Sequence, residues 1–146
     1  MEWVFWPVAL LVAALWAWPA SFWYDAGLLE IPDFVEGSEY VILYVGGAKR
    51  PFLGSYNVVV RDAATGGIVR EPGPSGRFPY RVVAERPNPL LISWWDPRLW
   101  EAKPLEPGAY IMETCWDVHK RFFGLAPTKT TCTESNIFRV YPKEGT

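Results

Sequence analysis

The sequence predicts an all-β protein, an antiparallel β-sandwich of about seven or eight strands preceded by a single N-terminal transmembrane α-helix. An uncharged apolar run from Trp3 to Tyr24 predicts the helix. Beyond it, short apolar segments alternate with glycine- and proline-containing turns, and no segment carries a clear helical period. The roughly 120 residues that follow the run are enough for one domain with its own core.

Residues 1–24 are interpreted as an uncleaved membrane anchor. A helix of about 22 residues rises roughly 33 Å, which matches a hydrocarbon core of about 30 Å. Pro19 should kink or end this helix near Trp18. The run contains no ionisable side chain, so it can anchor and pack but offers no proton relay or haem ligand. Interfacial anchors are expected at the aromatic residues near both ends, namely Trp3, Trp6, Trp16, Trp18, Trp23 and Tyr24.

A cleaved signal peptide and a buried helix of a soluble protein are the alternatives. A signal peptide needs a basic start and a small-x-small cleavage site, but Met1-Glu2 carries no base and the bulky Trp18 precedes Ala20 by two residues. A buried helix usually shows a polar face, which is missing here. The anchor is favoured, with a single-pass topology in the inner or cytoplasmic membrane and the C-terminal domain periplasmic or extracellular.

Charge divides the chain into an acidic neck at 25–37 and a mildly basic domain at 38–146. The first 39 residues contain six acidic residues and no Lys or Arg. From Lys49 onward the chain contains fourteen basic and ten acidic residues. The neck is either a linker or a first edge strand. The excess of positive charge in the domain is too small to predict nucleic-acid binding. The expected partners are therefore the membrane and other membrane-protein subunits.

The strands of the domain are predicted from apolar segments between turn signals. Along the late segment 108–118 the pattern alternates, which places Tyr110, Met112, Trp116 and Val118 on one face. Residues 68–71 follow a glycine-containing turn and are expected to form a hairpin with the segment before them. The predicted strands lie at 38–46, 55–62, 68–71, 78–85, 90–95, 108–118 and 135–141.

The stretch LEPGAY at 105–110 resembles the L-x-P-G-x-Y corner of immunoglobulin-like and fibronectin type III-like sandwiches. The resemblance covers this corner and the following strand only. It implies an Ig-like antiparallel sandwich in which Tyr110 packs at the corner and its hydroxyl bonds back to the chain upstream. The antibody-type cysteine on an early strand is missing, because both cysteines lie late in the chain.

Cys115 and Cys132 are predicted to form a disulfide across a long hairpin loop. A bridge of this span contributes roughly 3 kcal/mol in the chain-entropy model and implies an oxidising compartment. Strand alternation opposes the pairing, since Cys115 shares the face of Glu113 while Cys132 shares the parity of Phe138. A loop or bulge must intervene if they are to meet. The alternative is a pair of unrelated buried thiols in a reducing compartment.

No catalytic residue, metal site or cofactor is predicted, and the chain is not expected to be an enzyme. His119 is the only histidine and is interpreted as a solvated loop residue, because nothing in the sequence nominates a nucleophile or an orienting acid. Two cysteines and one histidine at this spacing do not predict a zinc site. The turn ATGG lacks the lysine and the helix of a phosphate-binding loop.

The partner-contact candidates are aromatic residues of two clusters. If Trp94 and Trp95 lie next to each other on a strand, only one of them can face the core of the domain. The alternative is that both aromatic clusters pack inside the domain. The favoured function is a non-enzymatic accessory or scaffold subunit of a larger membrane complex, such as a photosynthetic or respiratory one. The other candidates are a phage or bacterial envelope-active protein, a hydrolase, and a carbohydrate-binding or cell-surface module. The candidate contact residues are Trp94, Trp95, Trp100, Phe122 and Phe123.

Overall fold

The computed structural model describes residues 2–17, 19–82, 89–101, 103–119 and 128–143. Three α-helices, one 3-10 turn and ten β-strands lie in these ranges. In chain order they are α1 (Glu2–Ala17), the 3-10 turn (Ala20–Phe22), β1 (Tyr24–Glu30), β2 (Phe34–Val35), β3 (Val41–Ala48), β4 (Phe52–Asp62), β5 (Ile68–Arg70), β6 (Phe78–Tyr80), β7 (Leu90–Leu91), α2 (Ile92–Trp95), α3 (Pro97–Glu101), β8 (Gly108–His119), β9 (Lys129–Glu134) and β10 (Phe138–Tyr141).

The strands form two sheets, which confirms the all-β class. The first sheet has the order β1-β3-β7, and the second has the order β2-β10-β8-β4-β5. Strand β6 pairs with β4 beyond this path, and β9 pairs with β8. Strands β2 and β10 pair in parallel, and the other strand pairs in the described residues are antiparallel. The described residues hold more strands than predicted, because β1 and β2 lie in the segment interpreted as the neck and β9 begins in the predicted loop.

One hydrophobic core lies between the two sheets. Ile42 and Tyr44 of β3 meet Val58 of β4 and Met112 and Trp116 of β8 in a single buried cluster. The predicted alternation along β8 is confirmed, because every second side chain from Tyr110 to Val118 is buried. Burial of apolar area at about 25 cal/mol per Å² is the main stabilising contribution in such a core.

The apolar N-terminal run is two structural units, not one helix. Helix α1 ends at Ala17, close to where Pro19 predicts a break. Pro19 then precedes the 3-10 turn, and β1 begins at Tyr24. The prediction that Trp23 and Tyr24 anchor the chain at a membrane interface is wrong, because both side chains are buried in the domain. Trp23 packs with Ala20 against the end of β8, and Tyr24 belongs to the main core.

In the described part of the chain, no helix combines the length and apolar character that crossing a membrane requires. Of the other predicted interfacial anchors, Trp6 is exposed on α1. The side chains of Trp3 and Trp16, and residue Trp18, lie outside the described set. The acidic neck corresponds to β1 and β2, so the edge-strand interpretation applies to its first part: β1 pairs with β3 at one edge of the first sheet.

The structure also corrects three predicted elements. The predicted strand 90–95 contains only the short β7, after which the chain turns into α2 at Ile92. Asp96 ends that helix and Pro97 begins α3, a first-turn position that proline tolerates. In the predicted strand 78–85, only Phe78–Tyr80 is a strand among the described residues. The predicted loop 116–131 is shorter, because β8 extends to His119 and β9 begins at Lys129.

The predicted disulfide is confirmed and joins two neighbouring strands. Cys115 of β8 lies directly opposite Cys132 of β9, with their sulfur atoms bonded at 2.10 Å. The expected mismatch between the faces of the two cysteines does not arise. Cys132 lies on β9 and Phe138 lies on β10, and the irregular residues 136–137 separate the two strands. Side-chain alternation therefore does not carry over from one strand to the other.

Loss of the disulfide should destabilise the domain without changing its fold. In the Cys115→Ser/Cys132→Ser variant we expect the free energy of unfolding to fall by roughly 3 kcal/mol. The two cysteines are 17 positions apart, and without the bond the unfolded chain regains the conformational entropy that closing this loop removes. Urea unfolding followed by near-UV circular dichroism measures the change. Wild-type protein treated with reductant is the matched control and should show the same loss. An unchanged midpoint in both samples would contradict the prediction.

Candidate functional site: an aromatic cleft

A cleft lined by aromatic rings opens between the two sheets beside β6 and α2. Its volume is about 420 Å³, within the range of ligand-binding cavities. Strand β6 and helix α2 supply its walls, and the core strand β8 supplies its floor. We call the turn at Asp96, which joins α2 to α3, the elbow. We call the cavity the aromatic cleft, and its lining residues are Tyr24, Ala48, Tyr56, Phe78, Pro79, Tyr80, Arg81, Trp94, Trp95, Thr114 and Trp116.

Helix α2 points its two tryptophans in different directions. Trp94 is 61% exposed at the mouth of the aromatic cleft. Trp95 is half-buried, its indole N–H donates to Thr114 Oγ1 at 3.3 Å, and its ring meets Trp116 edge-on. One of the pair therefore packs against the core and the other faces outward, but they lie on a helix and not on the predicted strand. The side chain of Trp100 and residues Phe122 and Phe123 lie outside the described set, so their predicted contacts stay predictions.

The floor and the β6 wall are fixed by ring packing. Tyr24 stacks on Trp116 with ring centroids 4.4 Å apart, and Tyr80 stacks on Phe52 at 4.7 Å. Phe78 lies 4.4 Å from Tyr80 along the same short strand. Aromatic pairs at such distances contribute about 0.5–1.5 kcal/mol beyond their buried area. The aromatic cleft is therefore largely preformed.

Tyr80 carries a polar atom that the packing leaves unpaired. Its hydroxyl is buried, and among the described residues it has no hydrogen-bond partner. Burial raises the pKa of the Tyr80 phenol well above its ordinary value, and the nearby Tyr24 and Tyr56 phenols and the Asp117 carboxylate raise it further. The hydroxyl thus stays protonated. The neighbouring Arg81 is exposed on the rim.

An ion pair fixes the elbow that carries the tryptophans. Asp96 is fully buried, and its carboxylate accepts hydrogen bonds from the Arg98 guanidinium, with Nε and Nη2 each 3.1 Å away, and from the Arg98 backbone N–H. These bonds raise the pKa of Arg98. The guanidinium also lies over the Tyr56 ring at 5.7 Å. Because Asp96 joins α2 to α3, this pair sets where Trp94 and Trp95 project.

His119 is not the loop residue that the sequence predicts. It ends β8, half-buried, with Nε2 2.8 Å from Ser55 Oγ and Nδ1 3.1 Å from Thr128 Oγ1. Sequence reasoning missed Ser55 because it lies 64 positions earlier, and only the β4–β8 register brings the two together.

Among the described residues, the Ser55–His119 contact has the spacing of a nucleophile and its base but lacks the rest of a catalytic set. The third group in contact with the imidazole is the Thr128 hydroxyl and not a carboxylate. The Asp117 side chain instead accepts a hydrogen bond from Thr130. Ser55 is buried in mid-strand. The arrangement ties the ends of β4 and β8 to the segment before β9. Within the described ranges, no group of three or more His, Cys, Asp or Glu could hold a metal ion.

At the LEPGAY corner, the Tyr110 hydroxyl donates to the Glu106 carbonyl oxygen at 2.5 Å. This is the upstream bond that the motif predicts. Tyr110 is itself buried against Phe138 of the neighbouring strand β10. The corner thus fixes the entry of the chain into β8, at the opposite end of that strand from His119.

The sequence nominated Trp94 and Trp95 but missed the rest of the aromatic cleft. The sequence places Tyr24 at the end of the apolar run and places Tyr56 and Tyr80 in predicted strands, and it does not indicate that the three side chains share a cleft. A signal was present, since Phe78 and Tyr80 alternate around a proline. Their partners come from segments far apart in the chain, so the cleft itself follows only from the fold.

Known protein families, characterised proteins and solved structures yield no match to this chain. The aromatic cleft, the buried Asp96–Arg98 pair and the exposed apolar helix are therefore interpreted from their own geometry.

Removing the Arg98 side chain should destabilise the elbow through the charge that it leaves behind. We expect Arg98→Met to lower the free energy of unfolding by about 1–3 kcal/mol, because the buried Asp96 carboxylate loses its charged hydrogen-bond donors while the half-buried Arg98 side chain is partly screened by solvent. The Asp96→Asn/Arg98→Met double variant should recover part of this loss. Thermal unfolding of both variants measures the coupling. Equal losses in the single and double variants would show that the ion pair does not fix the elbow.

Two buried tyrosines should respond in opposite ways to loss of the hydroxyl. Tyr80→Phe should raise the free energy of unfolding by about 1 kcal/mol, because an unpaired buried hydroxyl is removed. Tyr44→Phe should lower it by about 1–2 kcal/mol, because that hydroxyl lies 2.9–3.1 Å from the Tyr24 hydroxyl and two carbonyls of β1. Chemical denaturation compares the two variants. A loss of stability in Tyr80→Phe would mean that its hydroxyl has a partner.

Proposed function

We propose that this protein is a non-enzymatic, membrane-attached accessory or scaffold subunit. Its N-terminal segment packs within a larger membrane complex, and its domain, an Ig-like β-sandwich, contacts partner proteins through the aromatic cleft. The observation that carries this proposal is the surface of α1, where apolar side chains are exposed along residues 5–12. The exposed residues there are Phe5, Trp6, Val8, Leu10, Leu11 and Val12.

An apolar helix exposed to water is unfavourable, so this surface needs a cover. Leu10 and Leu11 are 68% and 59% exposed and point in different directions around the helix axis, so a cover on one side leaves the other open. No charged residue follows Glu2 in α1, which leaves no polar face for water. Surrounding lipid and neighbouring apolar helices would satisfy all sides of the helix.

The length of α1 supports attachment together with other helices. Its 16 residues rise about 24 Å, less than a hydrocarbon core of about 30 Å. A short apolar helix is accommodated by local thinning of the bilayer or by association with other helices. The small residues Ala9, Ala13 and Ala17 recur every fourth position and would permit close helix approach.

The disulfide and the aromatic cleft support the assignment of the domain. A cross-strand disulfide persists in oxidising compartments, which favours a periplasmic or extracellular location for the domain. Exposed tryptophan beside arginine is typical of protein interfaces, and Trp94 and Arg81 occupy the rim of the cleft. No step of this function calls on a catalytic group.

Membrane attachment should depend on the apolar surface of α1. We expect the full chain to stay with membranes during alkaline carbonate extraction and the Leu10→Asp/Leu11→Asp variant to appear in the supernatant, because buried carboxylates are costly in lipid. The matched control is Leu28→Asp/Val45→Asp, which changes two exposed apolar residues that are paired across β1 and β3. This control should remain in the pellet. Release of the wild type would contradict the proposed function.

A further inference from the structure

We propose that the aromatic cleft binds a proline-rich segment of a partner protein in the extended polyproline II conformation. This inference rests on the proposed function, because it names the partner chemistry of the same contact site. Three features carry it: the ring-lined walls, the set of polar groups that remain available, and the preformed geometry.

The walls match the flat apolar faces of proline rings. Trp94 and Tyr80 line the cleft on opposite elements, α2 and β6, and Trp116 lies at its floor. Proline-rich segments bind in aromatic-lined grooves because the polyproline II helix is stiff and loses little entropy on binding. At about 420 Å³, the cleft takes a short stretch of chain and not a folded domain.

Two exposed polar groups at the cleft can donate hydrogen bonds but cannot accept them. One is the Arg81 guanidinium, which stands on the rim. Trp94 adds an exposed indole N–H, whereas the N–H of Trp95 is already bonded to Thr114. The described lining contains no carboxylate. The cleft therefore offers rings and donors but few acceptors.

A proline-rich segment has the complementary chemistry. Each proline presents a carbonyl acceptor and no N–H donor, and polyproline II has no internal hydrogen bonds that would occupy those carbonyls. The exposed Arg81 guanidinium and Trp94 indole N–H would donate to these carbonyls. A sugar also stacks on aromatic rings, but its hydroxyls bring donors that need acceptors, such as carboxylates, on the wall. The donor-rich lining favours the proline-rich segment.

Packing around Tyr80 keeps the reorganisation on binding small. Its ring is held between Phe52, stacked at an interplanar angle of 9°, and Phe78. Immobilising a free side chain opposes binding, and here the side chain is already fixed. The Asp96–Arg98 pair holds the opposite wall.

The test uses the full chain in mild detergent and a fluorescein-labelled decaproline peptide, followed by fluorescence anisotropy. We expect saturable binding that an unlabelled decaproline competes away and a glycine-serine peptide of equal length does not. Arg81→Met should weaken binding about 3- to 10-fold, because it removes one net hydrogen bond. Trp94→Ala should weaken it about 10-fold or more, as expected for an interface anchor.

Arg139→Met is the matched control, because it removes an exposed guanidinium on β10, outside the cleft lining, and should leave the affinity unchanged. Near-UV circular dichroism confirms that each variant is folded. Absence of saturable decaproline binding overturns the inference, as does binding that neither cleft variant weakens. Binding of chitohexaose in place of the peptide also overturns it and identifies a glycan site. Carbonate extraction tests the proposed function separately, so failure of one does not imply failure of the other.

Discussion

The pairing of β4 with β8 is the constraint on which the rest of the structure depends. Ten residue pairs run in register from Leu53 opposite His119 to Asp62 opposite Tyr110. The inward side chains of this ladder form the centre of the core, and its outward side chains bring Ser55 to His119. Every other strand of the second sheet pairs with β4, with β8 or with the neighbour β10. A register slip of one residue would turn all of these side chains to the wrong face.

The ladder also accounts for the aromatic cleft. It sets Tyr56 opposite Trp116 and thereby places both in the cleft near the end of the core where β6 joins β4. Two local devices complete the site: the short β6, which presents Phe78 and Tyr80, and the elbow at Asp96, which presents Trp94. The described packing does not explain why the Tyr80 hydroxyl is left unpaired.

Local sequence signals predicted the parts of the fold that are themselves local. Alternation along β8 was legible because that strand has one face in the core, and Pro19 correctly indicated the end of α1. The segment LLISWW predicts a strand, because an apolar run of this length does not distinguish a strand from a short helix. In the structure the chain turns into α2 at Ile92, Asp96 ends that helix and Pro97 begins the next one. Tyr24 was misassigned because the apolar run and the first strand follow one another without a polar break. The Ser55–His119 contact and the cleft depend on strand register, which no local pattern gives.

The central claim is that the aromatic cleft is a contact site for a partner protein. Photo-crosslinking from native membranes tests it most directly, with p-benzoylphenylalanine placed at position 94, where the side chain is exposed at the cleft mouth. Position 137, similarly exposed but outside the cleft lining, serves as the control. Our account predicts a specific adduct from position 94 whose cross-linked peptide, identified by mass spectrometry, is proline-rich. Adducts that are identical from both positions, or none from position 94, would contradict it.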